Sequence, residues 1–373
     1  MSTTSKLFTP LALGDDLVLK NRVVMAPMMR NRSDRQTRGP SEITELFYEQ
    51  RAGAGLIIAE ATAVSEQAFG WFGAAGCYNQ EHVSGWKRVV DRVHARGGTI
   101  FLQLWHMGRQ GHSSFNSKGE LVSSSAIKLS YGTRRNAKGE DVPFEVPRAL
   151  ETDEIPAIVE DFRKSAALAK EAGFDGVEIH AGNGYLIDQF MQSVSNKRTD
   201  KYGGSFENRT RFLLEIVEAV KTVWPSHRIG VRITPNGKYG DMGGEDNFSS
   251  FCYVMQQLSP HQLGYLAIPD GEGYTLELHD KCRLVTPFDA KTHFRGTVMA
   301  CNSYTKDTAE GVLRSGAADA VAFGRAYISN PDLAERYKNN WPLASAAPVD
   351  VYWNGDLGVE GCIMYPSYAP TQG

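Results

Sequence analysis

The chain alternates between short apolar runs and amphipathic stretches along most of its length. The apolar runs, rich in β-branched residues, lie at 21–26, 55–60, 99–104, 174–180, 228–234, 264–268, 297–300 and 320–324. Amphipathic stretches with helical spacing lie at 41–52, 84–95, 154–172, 206–223, 247–258, 306–315 and 331–338. Strands that alternate with helices form a parallel sheet covered by helices, and eight such units close into a barrel. The sequence therefore predicts an α/β fold, a (β/α)8 TIM barrel.

The competing fold is an open doubly wound sheet, which normally carries a Gly-x-Gly-x-x-Gly turn after its first strand. No such turn follows residues 21–26.

Two long insertions interrupt the repeats, at 108–147 after the third predicted strand and at 269–288 after the sixth. Both belong on the C-terminal rim of a barrel, where we expect them to act as lids or pocket walls. Because no low-complexity linker is visible, we expect residues 1–373 to form a single domain.

Composition excludes several classes of function. The formal net charge of -3 provides no basic surface for a polyanion, so we expect no nucleic-acid partner. Five cysteines without a C-x-x-C pair argue against a zinc site, an iron–sulfur cluster or a disulfide framework, so we expect no metal. Residues 1–13 lack the features of a secretory signal, and no apolar run approaches the roughly 20 residues that cross a bilayer. We therefore expect a cytoplasmic protein without a membrane partner.

The segment His-Ala-Gly-Asn-Gly-Tyr at 180–185 follows the fourth predicted strand. It brings two neutral hydrogen-bond donors, His180 and Asn183, and the phenol of Tyr185 to the C-terminal end of a strand. Active sites of barrel enzymes are built at that end. A structural histidine followed by an Asn-Gly turn would look much the same, so these residues alone favour function only slightly.

Other predicted strand ends carry further candidates. A cation, Arg232, interrupts the apolar fifth strand, which is unfavourable inside a barrel unless an anion meets it. That anion is either a rim carboxylate such as Glu178 or a bound ligand. The loops after the seventh and eighth strands frequently form a phosphate site in this fold. Here those loops contain the candidates Asn302, Ser303, Tyr304, Gly324 and Arg325.

Five segments together resemble one family of enzymes. They lie at 21–30, 101–109, 180–191, 198–212 and 318–330, and the similarity runs from Leu7 to Tyr368. The chain resembles the Old Yellow Enzymes, FMN-dependent ene-reductases built on a (β/α)8 barrel. The resemblance implies FMN as cofactor, NADPH or NADH as hydride donor, and reduction of the activated C=C bond of α,β-unsaturated carbonyl or nitro compounds. It therefore implies a small-molecule substrate of the enone, enal, maleimide or nitroalkene type.

The resemblance also implies roles for individual residues around the flavin. Pro27, Met28 and Ala61 would line it through backbone contacts, with Met29 beside its O4 edge. Gln103 would bind the pyrimidine edge, and Arg232 would stand near N1 and C2=O, where negative charge develops on reduction. The residues expected to hold the ribityl phosphate are Asn302, Ser303, Tyr304, Gly324 and Arg325.

The resemblance also implies which residues bind the substrate oxygen and which residue donates a proton to the substrate. His180 and Asn183 would donate hydrogen bonds to the carbonyl or nitro oxygen, and hydride would pass from flavin N5 to the β-carbon. Tyr185 would then supply the proton at the α-carbon. Trp105 and Tyr352 are expected as pocket walls.

Three positions depart from the family pattern. Met29 stands where many members carry Thr or Cys, and a thioether cannot donate a hydrogen bond to the flavin. Ala61 replaces a common glycine, and Cys301-Asn302-Ser303 replaces a loop in which glycines are frequent.

The alternatives to an ene-reductase are a flavin-dependent isomerase or specialised biosynthetic enzyme of the same fold, and a non-catalytic flavin-binding protein. The oligomeric state, monomer or homodimer, stays open.

Overall fold

The computed structural model describes residues 5–270, 278 and 280–369, and its centre is a closed barrel of eight parallel strands. The strands are β1 (Val23–Met25), β2 (Leu56–Ala63), β3 (Ile100–Trp105), β4 (Gly176–Ala181), β5 (Ile229–Ile233), β6 (Tyr265–Pro269), β7 (Val298–Cys301) and β8 (Ala320–Phe323). Each strand pairs with the next, and β8 pairs back onto β1. The closure confirms the predicted (β/α)8 barrel.

Buried apolar side chains fill the inside of the barrel. One cluster combines residues from alternating positions of the strands, among them Val24, Phe101, Tyr265 and Met299. The same cluster includes Leu17 of an N-terminal hairpin, which is formed by Leu11–Gly14 and Leu17–Leu19. The hairpin is also bound to the segment before β5, since Asp16 accepts hydrogen bonds from His227 and Arg228. The hairpin therefore covers the N-terminal end of the barrel and leaves the opposite end for a ligand.

Ten helices of the described ranges surround the strands, and a larger apolar cluster lies between the two layers. They are α1 (Glu42–Glu49), α2 (Gln80–Ala95), α3 (Ile155–Glu171), α4 (Leu186–Met191), α5 (Phe206–Lys221), α6 (Asn247–Leu258), α7 (Pro287–Phe294), α8 (Lys306–Ser315), α9 (Arg325–Ser329) and α10 (Leu333–Asn339). Side chains at the N-caps, such as Ser41, Asn79 and Ser205, accept backbone N–H groups that the helix itself leaves without acceptors. None of these helices is long and apolar enough to cross a bilayer.

The sixth repeat differs from the expectation. Sequence periodicity predicts no helix there, whereas α7 begins at Pro287, inside the predicted insertion 269–288. A capping box at Thr286 and Asp289, followed by proline at the first helical position, starts this short helix without strong amphipathic spacing. Most of the remaining insertion, residues 271–277 and 279, lies outside the described part of the chain.

The first insertion is ordered by its own hydrogen bonds and by contacts with the rim. It contains a small hairpin, Thr133–Arg135 with Asp141–Pro143, and the strand Val122–Ser123, which pairs with Arg148–Ala149. The hairpin is fastened to the C-terminal segment because Arg135 donates to Asp356. The insertion thus packs on the rim at the C-terminal ends of the strands, but none of residues 108–147 lines the cavity that opens there, so the prediction of a pocket wall is wrong.

Candidate active site

A cavity of about 930 Å³ opens at the C-terminal ends of the barrel strands. Every strand, or the residue directly after it, contributes to the wall: Ala26, Ala61, Gln103, His180, Arg232, Pro269, Cys301 and Ala322. Ligand pockets usually enclose about 300–1,000 Å³, so this cavity is large enough for a cofactor together with a small second molecule.

The cavity brings together residues that lie far apart in the sequence. All predicted cofactor residues line it: Pro27, Met28, Met29, Ala61, Gln103, Arg232, Asn302, Ser303, Tyr304, Gly324 and Arg325. His180, Asn183, Tyr185 and Tyr352 also line it. Trp105 does not, because its fully buried ring packs edge-on against Tyr185, 5.1 Å between centroids. The indole therefore supports Tyr185 from behind and is not itself a wall of the pocket.

The turn after β4 sets the directions of the catalytic candidates. Asn183 adopts a left-handed backbone with φ of 55°, and Gly184 follows with φ of 68°. Asparagine tolerates this region better than most residues. The turn is fixed from three sides, since Asn183 N donates to Thr234 Oγ1 at 2.6 Å, Gln110 Nε2 donates to Asn183 O at 2.6 Å, and Gly184 N donates to Asp188 Oδ2 at 2.8 Å. The Asn183 side chain is thereby held beside that of His180.

His180 and Asn183 present polar atoms that the described protein does not satisfy. The two side chains approach to 3.5 Å between His180 Nε2 and Asn183 Nδ2. His180 Nδ1 and Asn183 Oδ1 are buried without a hydrogen-bond partner among the described residues. Burial, together with the positive charge of Arg232, holds the pKa of His180 well below its usual value. The imidazole is therefore neutral, and the pair can bind an oxygen of a ligand without adding a charge.

Tyr185 is held as a protonated phenol. Its ring packs edge-on against His180, with 5.2 Å between ring centroids. Burial raises the pKa of Tyr185 well above its usual value, and the hydroxyl of Tyr239 raises it further. The phenol therefore keeps its proton at neutral pH and can act as a hydrogen-bond donor or a general acid in the cavity.

The charge of Arg232 is not neutralised by direct contact with a carboxylate. Glu178 is fully buried, where it accepts from Gln103 Nε2 at 2.7 Å and from the Tyr265 hydroxyl at 2.9 Å. Arg232 instead donates to the thiol of Cys301 at 3.2 Å. Burial raises the pKa of Glu178, and the charge of Arg232 opposes that rise. Among the described residues Arg232 therefore makes no close ion pair with Glu178, and its side chain lines the cavity, where it can bind a ligand.

The loops after β7 and β8 form a second polar region of the wall. Asn302 and Ser303 have left-handed backbones, with φ of 88° and 55°, and Arg325 Nη2 donates to Ser303 Oγ at 3.4 Å. Backbone N–H groups beside an arginine suit a phosphate. The hydroxyl of Tyr304 donates to Asp270, so only the backbone of Tyr304 is left to face a phosphate.

Sequence reasoning missed several wall residues. Trp71 follows β2 and Tyr239 follows β5, and their position after barrel strands was the available signal. The segment that provides Leu343, Ala347 and Trp353 gave no such signal, because it lies beyond the last predicted helix. Among the described residues, no group of three or more His, Cys, Asp or Glu side chains could hold a metal ion.

Comparison with known proteins shows the family. Residues 6–344 match the model of the NADH:flavin oxidoreductase / NADH oxidase family. The chain is 41% identical over 349 residues to a putative 12-oxophytodienoate reductase 11 of Oryza sativa subsp. japonica, covering 92% of this chain and 93% of that protein. It is 37% identical over 366 residues to 12-oxophytodienoate reductase 2 of Arabidopsis thaliana, covering 98% and 96%.

Solved structures agree with that result. The old yellow enzyme homologue from Zymomonas mobilis superposes with a TM-score of 0.90 at 36% identity, covering 97% of this chain and 99% of that one. Morphinone reductase superposes with a TM-score of 0.90 at 39% identity, covering 98% and 97%. Sequence, fold and cavity agree: the chain belongs to the NADH:flavin oxidoreductase / NADH oxidase family and is a flavin-dependent oxidoreductase of the old yellow enzyme type.

Proposed function

We propose that this protein is an FMN-dependent ene-reductase that uses NADPH or NADH to reduce the activated C=C bond of α,β-unsaturated carbonyl or nitro compounds. The observation that carries the proposal is the convergence of His180, Asn183 and Tyr185 on one cavity that also contains Gln103 and Arg232. The names of the relatives, 12-oxophytodienoate reductase and morphinone reductase, support a reductase of this kind.

The residues present fit FMN. The amide of Gln103 is held at the cavity wall by Glu178, and Arg232, which lines the same cavity, would stabilise the negative charge that reduction places on a bound flavin. Ser303, Gly324 and Arg325 would hold the phosphate through N–H groups and one guanidinium. When bound, FMN supplies two-electron chemistry, taking a hydride from the nicotinamide and giving it to the β-carbon of the alkene.

The protein would polarise the alkene through the substrate oxygen. The neutral N–H groups of His180 and Asn183 donate to a carbonyl or nitro oxygen, where negative charge develops during the reaction. His180 Nδ1, which is buried without a partner among the described residues, can donate to that oxygen when it carries the ring proton, and Asn183 would donate through Nδ2. Thr234 and Gln110 hydrogen-bond the backbone of Asn183 and so fix the turn after β4. The donors of His180 and Asn183 are therefore oriented before the substrate binds.

Tyr185 would deliver the proton to the α-carbon. Its pKa is raised by burial, so the phenol is protonated over the whole neutral range, and a proton passes as negative charge builds on the substrate. Reduction of the flavin by the nicotinamide needs no such proton donor.

The variant Tyr185→Phe separates these two steps. We expect flavin reduction by NADPH to keep nearly its wild-type rate, and reoxidation by 2-cyclohexenone to slow by about 10²- to 10⁴-fold, the usual contribution of a general acid. Rapid-mixing absorbance measurements follow each half-reaction of the FMN-loaded protein separately. Equal loss in both half-reactions, or no loss in either, would reject Tyr185 as the proton donor.

A further inference from the structure

Glu178 is a fully buried carboxylate that lies behind the cavity wall and does not line the cavity itself. It belongs to β4, two residues before His180, and in the strand pairing it stands opposite Gln103 of β3 and Gly230 of β5. Gly230 is in turn paired with Tyr265 of β6. Four neighbouring strands thus bring these residues to one level inside the barrel, below the level of His180.

The missing side chain at Gly230 lets the phenol of Tyr265 reach Glu178. A Cβ at Gly230 would lie 2.2 Å from Cζ of Tyr265, which is far closer than two carbon atoms approach without a bond. The Tyr265 ring therefore crosses β5 at this glycine, and its hydroxyl donates to Glu178 Oε2 at 2.9 Å. One oxygen of the carboxylate is satisfied in this way from β6.

The other oxygen of Glu178 decides which end of the Gln103 amide is left for a ligand. Glu178 Oε1 accepts from Gln103 Nε2 at 2.7 Å. Burial raises the pKa of Glu178, while the charge of Arg232 and the two hydrogen bonds favour its ionised form. A carboxylate has no proton to donate, so it can face the amide nitrogen but not the amide oxygen. Because Gln103 lines the cavity, its Oε1 is the end of the amide that is left for a ligand there.

An acceptor at this place selects a hydrogen-bond donor on the ligand. The pyrimidine ring of an oxidised isoalloxazine carries one N–H group, at N3, between the carbonyl groups C2=O and C4=O. An amide oxygen that faces the ring matches N3–H, whereas an amide nitrogen matches a carbonyl and opposes N3–H. The orientation of the Gln103 amide therefore decides which contact a flavin can make with it.

We propose that Glu178 is a positioning residue for the flavin, which holds the Gln103 amide so that Oε1 accepts a hydrogen bond from N3–H. The inference rests on the proposed function, which supplies FMN as the ligand of the cavity. Glu178 acts through Gln103, since it does not line the cavity itself. The Tyr265 hydroxyl occupies the second carboxylate oxygen, so the first stays directed at the amide nitrogen.

The test compares FMN with N3-methyl-FMN, which has no N–H group in its pyrimidine ring. Apoprotein is titrated with each flavin, and the quenching of flavin fluorescence gives the two dissociation constants. We expect wild type to bind N3-methyl-FMN about 10- to 100-fold more weakly than FMN, because the methyl group leaves the buried amide oxygen without a donor. In Glu178→Gln this ratio should fall by at least about 5-fold, since the new amide can face either end of the Gln103 amide and no longer fixes it.

Tyr265→Phe is the matched control, because it removes a hydrogen bond to Glu178 at the same level of the barrel and keeps the carboxylate beside Gln103. Its ratio of dissociation constants should stay within about 3-fold of the wild-type ratio. If Glu178 had only a structural role, Glu178→Gln would weaken the binding of both flavins alike and leave the ratio unchanged.

Nitrogen NMR provides a readout that does not depend on affinity. FMN labelled with nitrogen-15 at N3 should resonate further downfield when it is bound to wild type or Tyr265→Phe than when it is bound to Glu178→Gln, because donation of a hydrogen bond deshields the nitrogen. An unchanged ratio or an unchanged N3 shift in Glu178→Gln would overturn the inference alone, and so would a wild type that binds both flavins equally well. An apoprotein that binds neither flavin would overturn the proposed function and this inference with it.

Discussion

Burial keeps the two central side chains of the site, His180 and Tyr185, in their neutral forms. It lowers the pKa of His180 and raises the pKa of Tyr185, because an apolar environment disfavours the charged form of both groups. The site therefore combines a neutral imidazole with a neutral phenol, while Arg232 remains charged nearby. Such a set can bind a neutral carbonyl compound and deliver a proton without first changing its own charge.

Met29 provides a test of how single residues tune the flavin. Its side chain lines the cavity and offers only a thioether, which cannot donate a hydrogen bond. We expect Met29→Thr to raise the flavin midpoint potential, because a hydroxyl donor stabilises the reduced, negatively charged form. A gain of about 1.5 kcal/mol corresponds to roughly 30 mV for a two-electron couple. A dye-coupled redox titration that finds the midpoint unchanged or lower would contradict this account of Met29.

Glu60, next to Ala61 in β2, should make the stability of the protein depend on pH. Burial raises its pKa to about 7, although the hydrogen bond that its carboxylate accepts from Arg30 N acts to lower it. Its Oε1 has no partner among the described residues. At pH values between about 4.5, the pKa of Glu60 in the unfolded chain, and about 7, its pKa in the folded protein, the folded state binds more protons than the unfolded state. The free energy of unfolding therefore falls as the pH rises through this range. Glu60→Gln removes the effect and keeps an acceptor for Arg30 N. We expect the free energy of unfolding of the variant to gain about 2–3 kcal/mol over wild type between pH 5 and pH 8.

Urea titrations at both pH values measure that difference. Glu49→Gln in α1 is the control, because its arginine partners lower the pKa of Glu49 and both its folded and unfolded states are ionised above pH 5. The stability of the control relative to wild type should therefore not change over this range. If Glu60→Gln behaves like the control, Glu60 does not carry the buried charge that we assign to it.

At the scale of elements, the segment after α10 is held over the cavity by side chains from the loop after β1. Arg30 donates through Nη1 to Tyr352 O at 2.7 Å and through Nη2 to Gly361 O at 2.8 Å. Asn31 donates to Trp353 O at 2.7 Å. These bonds connect the loop after the first barrel strand with the segment after α10, and they place Tyr352 and Trp353 in the wall of the cavity.

Arg30→Met tests this attachment. Methionine keeps much of the apolar volume over Phe47 and loses both charge-assisted bonds, so the segment 349–363 should open more readily, by about 2–4 kcal/mol. Hydrogen–deuterium exchange measured by mass spectrometry reports that opening locally. Arg35→Gln, which breaks an exposed pair with Asp356, is the control and should change exchange by less than about 1 kcal/mol. Equal protection in the two variants would show that Arg30 does not hold the segment.

Elements with strong local patterns could be predicted from the sequence, and elements defined by tertiary contact could not. The eight barrel strands follow from their apolar runs, although β2 continues to Ala63, beyond the predicted end at residue 60. The short helices α4 and α9 have too few turns for a periodic signal. The hairpin at 133–143 has mostly polar, exposed strands, so only its contacts with the rim show its position.

At the scale of the whole molecule, barrel closure explains why the predicted site could be assembled from separate motifs. Strand ends that are hundreds of residues apart, such as Met28 and Arg325, meet because all eight strands finish at one rim. The common rim therefore allows the sequence to identify site residues only at the ends of strands. It does not locate Tyr352 and Trp353, which line the cavity from the C-terminal segment; Tyr352 was expected only from the family resemblance, and Trp353 was not expected at all.

The central claim is that this cavity couples a nicotinamide, FMN and an activated alkene. The most direct test reduces the FMN-loaded protein with NADPH without oxygen, removes the nucleotide, and then adds 2-cyclohexenone while absorbance and products are followed. The account predicts bleaching of the flavin by NADPH, its full reoxidation by the enone, and cyclohexanone in an amount equal to the flavin. A protein that cannot be loaded with FMN, or a reduced flavin that the enone leaves bleached, would contradict it.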